Sequence, residues 1–200
     1  MAGPPPPRGG RGNDFCGTNL LELAIFTIGH STRSLDELVG LLREHDISLL
    51  ADVRTAPGSR RMPHFTKAAL AVDLPTRGVE YAHLPELGGL RRTMPDSPNA
   101  GWRNENFRGY ADHMADADFA AGLERLLEWG RDRSVTVMCA EAVPWRCHRS
   151  LIADALLVRG VDVKHVIGPG RTQPATLTPF AHVDGGRITY PGPVQGQFEL

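Results

Sequence analysis

Val135-Thr-Val-Met-Cys-Ala-Glu-Ala-Val-Pro-Trp-Arg-Cys-His-Arg-Ser-Leu-Ile-Ala-Asp-Ala-Leu-Leu-Val158 decides the fold. Its first four residues are apolar or β-branched and read as a buried strand. Its last nine read as a helix packed on a core. Between them lie two thiols, a carboxylate, an imidazole and two guanidiniums. A strand feeding a helix through a connection this rich in chemistry is the hallmark of an open α/β sheet, where ligands bind at the carboxyl ends of the strands.

Working outward, the same alternation recurs. Ala24 to Ile28 reads as a strand. Ser34, with Glu37 three residues on, marks a capping box opening a helix through Leu35, Leu38, Val39, Leu41 and Leu42. Ile47 to Val53 is a second buried strand, Thr66 to Thr76 a short helix, and Val79 to Leu84 a third strand. Residues 85 to 101 are too rich in Gly, Pro and Arg for regular structure. Asn106 to Met114 and Asp118 to Gly130 read as helices, and Val161 to Ile167 as the last long strand. Right-handed crossovers make this a three-layer α/β/α fold with a mostly parallel central sheet of about five strands. The division expected is a disordered tail over residues 1–22, a single α/β domain over 23–170 and an irregular extension over 171–200, with a short strand at Arg187 to Tyr190. His45 and His113 are expected on helix surfaces.

The chain of 200 residues carries a net charge of −1, so no global charge favours nucleic acid or a membrane surface. No apolar run approaches the ~20 residues of a membrane span, and the N-terminus has no apolar signal core. Three cysteines do not make a disulfide scaffold. A cytoplasmic, reduced protein is expected. There is no Gly-x-Gly-x-x-Gly after the first strand and no P-loop lysine, which removes support for dinucleotide and nucleoside-triphosphate folds.

Several motifs together resemble the domain of unknown function 488 family. They are Ile28-Gly-His-Ser, Asp52-Val-Arg-x-x-Pro-x-Ser-Arg60, Pro63-x-Phe65, Glu86-Leu-Gly-Gly89 and Cys139-Ala-Glu-x-x-Pro-x-x-Cys-His-Arg149. The resemblance runs from about Ile25 to Val166. It implies the α/β fold already read from the alternation, and no settled activity.

A parallel sheet gathers its strand ends, so the polar groups there are expected to converge. Glu141, Cys139 and Asp52 are the candidate reacting groups. His30, Arg54, Ser59, Arg60, His64, Arg146, His148 and Arg149 are the candidate ligand-binding groups. Cys139 at a strand end, facing a helix N-terminus and arginines, reads either as a nucleophile or as a buried structural thiol; of the two thiols it is the one expected to matter more. The segment is loosely similar to rhodanese and tyrosine-phosphatase loops, but Cys139 to Arg146 is too long a spacing, and Pro and Trp replace the glycines that curl round an anion. Glu141 reads as a general base or nucleophile, as in enzymes that cleave N-glycosidic bonds, or as a salt-bridge partner of Arg149 or Arg54. Cys139, Cys147 and His148 form an alternative metal-ligand set, although adjacent residues diverge on a helix.

Arginine is suited to phosphate and aromatics to stacking a base, so the expected ligand is small and anionic or nucleotide-like, with nucleic acid as a further partner. Three functions stay open: a hydrolase or transferase on a phosphate-bearing substrate, a non-catalytic nucleotide- or nucleic-acid-binding module, and a Cys/His metal-binding protein. No cofactor and no oligomeric state follow from the sequence.

Overall fold

A computed structural model describes residues 23–58 and 61–193. The expected tail over 1–22, Ser59, Arg60 and the last seven residues lie outside the described residues. The elements are β1 (Ala24–Gly29), α1 (Leu35–Glu44), β2 (Leu49–Asp52), α2 (Lys67–Thr76), β3 (Glu80–His83), α3 (Glu105–His113), α4 (Ala117–Asp132), β4 (Val135–Cys139), α5 (Arg149–Leu157), β5 (Asp162–Gly168), β6 (Arg171–Pro174), β7 (His182–Asp184) and β8 (Arg187–Thr189).

The sheet runs β3-β2-β4-β1-β5-β6. Its first five strands are parallel. To the five parallel strands β6 adds a sixth at the edge, pairing antiparallel with β5. It is exposed along its whole length, so it carries none of the apolar alternation that reveals a buried strand. The expected irregular extension thus starts with an edge strand and continues into the small β7–β8 hairpin.

Period-two alternation sends neighbouring side chains to opposite faces. Leu49, Ala51, Val135 and Val137 pack with Leu123, Leu126, Leu151 and Ile152 from α4 and α5. Leu50 and Met138 pack with Leu38, Leu42, Leu70 and Leu74 from α1 and α2. These are the two outer layers, and burying such side chains supplies ~1.5–3 kcal/mol each before entropy is counted.

The helix starts follow local chemistry. Ser34 Oγ accepts from the Glu37 amide at 3.2 Å and Glu37 Oε2 accepts from the Ser34 amide at 2.6 Å. Thr66 Oγ1 caps α2, and Asn104 Oδ1 caps α3. His113 is a correction: it is buried, with Nε2 on the Glu86 carbonyl at 2.8 Å. His45 is half-buried and stacks on Phe26.

Two polar anchors fix the irregular segments. The Asp112 carboxylate accepts from the Met94 amide, the Ser97 hydroxyl and the Asn99 side-chain amide, which binds residues 85–104 onto α3. Tyr190, fully buried, donates to Asp154 Oδ2 at 2.7 Å. Its backbone amide donates to Asn99 Oδ1, so the C-terminal segment locks against the same loop. No helix among the described residues is long and apolar enough to cross a membrane.

Candidate functional site

Because β4 lies between β2 and β1, the connections after those three strands meet at one edge. The His30 amide donates to the Cys139 carbonyl at 2.9 Å, the Ser31 amide to the Ala140 carbonyl, and the Val53 amide to the Met138 carbonyl. A cavity of about 370 Å³ opens there. Arg54, Cys139, Glu141, Arg146, Cys147 and His148 line it from the strand-end connections. Residues 85–104 and α3 supply the opposite wall.

Glu141 is held by its backbone. The wholly buried Arg149 donates from Nη2 to the Glu141 carbonyl at 2.5 Å and from Nη1 to Thr27 Oγ1 at 3.3 Å. A Cβ at Gly29 would overlap that same carbonyl oxygen, so only glycine allows β1 to approach it. The Glu141 side chain is exposed at the cavity. Neither Arg149 nor Arg54 pairs with its carboxylate among the described residues.

Asp52 lies under the cavity and does not line it. Its carboxylate is fully buried and accepts from the Arg54 amide, Arg54 Nε, Arg54 Nη2 and the Tyr81 hydroxyl. Four donors fill its lone pairs. Burial and then the Asp52 charge raise the Tyr81 pKa well above its usual value, so the phenol stays a donor. Arg54 also donates from Nη2 to the Phe65 carbonyl at 2.8 Å and from Nη1 to His30 Nε2 at 3.2 Å. A guanidinium has five N–H groups; four are used among the described residues, which leaves one on Nη1, and Arg54 lines the cavity.

His30 stands behind Arg54, stacked on Phe65 at 4.3 Å. Nδ1 donates to the Ser31 carbonyl at 2.9 Å, which leaves Nε2 to accept from Arg54. Burial, with the Arg54 charge against it, holds its pKa down at about 4, in keeping with that neutral tautomer. His64 contacts the Arg33 carbonyl and packs on Phe65, outside the cavity. Arg91 is spent on carbonyls of residues 85, 86 and 88.

The thiols and the imidazole come together. Cys147 has extended backbone after the short turn Pro144–Arg146, and His148 follows at the N-cap of α5. The expected divergence on a helix is corrected, because neither residue is inside one. His148 Nδ1 faces both Cys139 Sγ, at 3.9 Å, and Cys147 Sγ, at 3.7 Å. Both thiols are free. The facing Cys139 thiol, then His148 and Arg149, stabilise the Cys147 thiolate and hold its pKa low. The same partnership and burial push Cys139 up. Within the pair the thiolate is favoured on Cys147.

Tyr110, Asn104 and Asn106 line the cavity from the α3 side and were not legible as site residues. Tyr110 packs its ring 4.9 Å from that of His148 and donates to the Leu87 carbonyl. The only available signal was their place in and beside the long loop, since helix residues carry no strand-end mark.

Fold and site define an α/β protein with a strand-end cavity lined by an exposed carboxylate, a thiol–imidazole cluster and arginines. The chain belongs to the family described as Domain of unknown function DUF488, whose model matches residues 34–156. The motif Ile28-Gly-His-Ser falls just before that span. No curated protein and no solved structure matched the chain.

Proposed function

We propose that the cavity binds a small phosphate-bearing, nucleotide-like ligand and acts on it as a hydrolase or transferase at the N-glycosidic bond, with Glu141 as the reacting carboxylate. The observation that carries this reading is the state of Glu141: main chain clamped by Arg149 and Gly29, side chain exposed at a cavity that Arg54 and Arg146 also line, and without an ion pair among the described residues. A carboxylate kept only for structure would be paired with one of these arginines.

In this reading Arg146 and the free Nη1 hydrogen of Arg54 hold phosphate, since a guanidinium matches its oxygens bidentately. Phe107 and Tyr110 offer an aromatic wall for the base. The C1′–N bond breaks with its electron pair going to the base. The Glu141 carboxylate stabilises the positive charge developing at C1′, and water gives its hydroxyl to C1′ and its proton to the base. Asp52 and His30 act as positioning residues through Arg54, and Cys139 lies at the cavity floor. Free buried thiols suit a reducing compartment such as the cytoplasm.

The test is incubation with nucleoside 5′-monophosphates, with chromatography for free base and sugar phosphate and thermal melting for binding. Wild type should release base, and Glu141→Gln should bind the same nucleotide without releasing it. Binding without turnover by wild type would leave a non-catalytic nucleotide-binding module. Absence of any binding would end the nucleotide reading.

A further inference from the structure

The glycosidic reading leaves the thiol–imidazole cluster without a task. We propose that Cys139 Sγ, Cys147 Sγ and His148 Nδ1 hold one thiophilic divalent cation of the zinc class, with its fourth coordination position opening into the cavity.

The geometry is close to what such an ion requires. Tetrahedral bonds of about 2.3 Å to sulfur and 2.0–2.1 Å to nitrogen place S···N pairs about 3.6 Å apart and S···S pairs about 3.8 Å apart. The two S···N distances are 3.9 and 3.7 Å, and all three donor atoms lie within 4.8 Å of one another. Binding needs a contraction of at most about 1 Å, on the S···S edge.

The donors are also held in place. Cys139 ends β4, where its carbonyl is bonded by the His30 amide. Cys147 and His148 are adjacent in sequence but converge, because the turn Pro144–Arg146 delivers Cys147 in extended backbone. The His148 ring is boxed by Tyr110 on one side. Gly89 also abuts the ring: a Cβ there would come within 2.9 Å of Nδ1. Both sulfurs are buried, and all three residues line the cavity, so protein closes three sides and the ligand space the fourth. That is the arrangement of a catalytic rather than a structural site, which would be closed by a fourth protein ligand.

Charge points the same way. Two thiolates offset a divalent cation. The buried guanidinium of Arg149, bonded to two neutral oxygens and to no carboxylate among the described residues, then favours an anion in the open position: hydroxide or a ligand oxygen. Sulfur and imidazole together select zinc-like ions over magnesium or calcium, which take oxygen ligands.

The test reads the metal itself. Elemental analysis of the purified, reduced full chain should give close to one zinc-class ion per chain. After chelation, titration with Co²⁺ should produce thiolate-to-cobalt charge-transfer absorption that saturates at one equivalent and is displaced by Zn²⁺. Cys139→Ser, Cys147→Ser and His148→Gln should each weaken Co²⁺ binding by more than the ~10–100-fold typical of losing an outer-sphere partner, with circular dichroism confirming that each variant is folded. Glu141→Gln should bind Co²⁺ as wild type does. Absence of the band in reduced, folded wild type, or a band unchanged in the three ligand variants, overturns the site. Neither result bears on nucleotide binding or base release, so this inference and the glycosidic reading fail separately.

Discussion

Arg149 and Glu141 are joined through main chain, not through charge. The guanidinium, with no exposed surface, meets the Glu141 carbonyl at 2.5 Å and leaves the carboxylate to the cavity. The two parts of this residue thus have different surroundings: the backbone is held in the connection after β4, and the side chain is exposed at the cavity.

That division is measurable. Glu141→Gln alters an exposed side chain that has no hydrogen-bond or ion-pair partner among the described residues and is expected to change unfolding free energy by less than about 0.5 kcal/mol. Arg149→Met leaves the Glu141 carbonyl and Thr27 hydroxyl without their donor and is expected to cost about 2–4 kcal/mol. Urea denaturation of both variants checks this. A large loss in Glu141→Gln would mean that its carboxylate is a structural ion-pair member.

Asp52 should behave in the opposite way to Glu141. Its carboxylate compensates the nearly buried Arg54 and receives four hydrogen bonds. Asp52→Asn leaves that cation unpaired and is expected to cost about 3–5 kcal/mol. Denaturation midpoints of Asp52→Asn and Glu141→Gln, measured side by side, should differ clearly. Equal midpoints would show that the Asp52–Arg54 pair contributes little.

The contrast between these two acids was not legible in the sequence, where both are strand-end carboxylates beside arginines. The strand–helix alternation was legible, because apolar periodicity and the Ser34, Glu37 and Thr66 caps are local signals. The adjacency of the β2 and β4 connections followed from the motif density at Asp52–Arg60 and Cys139–Arg149. What escaped depended on contacts distant in sequence. β6 is exposed at the sheet edge, His113 is buried against the Glu86 carbonyl and the Phe119 ring, and Tyr110 reaches the cavity from a helix. Convergence of Cys147 with His148 turned on one extended residue that no periodicity announces.

Two buried neutral histidines give the fold an acid sensitivity. His30 and His165 are both held near a pKa of about 4, chiefly by burial, against about 6.5 in an unfolded chain. Between those values the unfolded state binds more protons, so stability rises with pH. Their contribution is complete above pH ~6.5 and lost as pH falls towards 4. A loss of about 1–2 kcal/mol for each is expected. Urea denaturation at pH 7.5, 6 and 5 reads the slope, and His165→Gln should flatten part of it. A pH-independent midpoint over this range would show that neither ring stays neutral in the folded protein.

The two thiols should differ in reactivity. In chelator-treated, reduced protein, Cys147 is favoured as thiolate by the facing Cys139 thiol, His148 and Arg149, whereas Cys139 is pushed up by the same partnership and by burial. The thiolate is the species that alkylates, and both sulfurs border an open cavity. Iodoacetamide should therefore modify Cys147 first, at a rate nearly constant from neutral pH down to about 6, with Cys139 following only at alkaline pH. Peptide mass spectrometry across a pH series gives both profiles. Arg149→Met should move the Cys147 profile to higher pH, because it removes a fixed positive charge that favours the thiolate, and Zn²⁺ should slow labelling of both residues. If Cys139 reacts first, or if Cys147 labels only on unfolding, the charge arrangement around the cluster is not the one described.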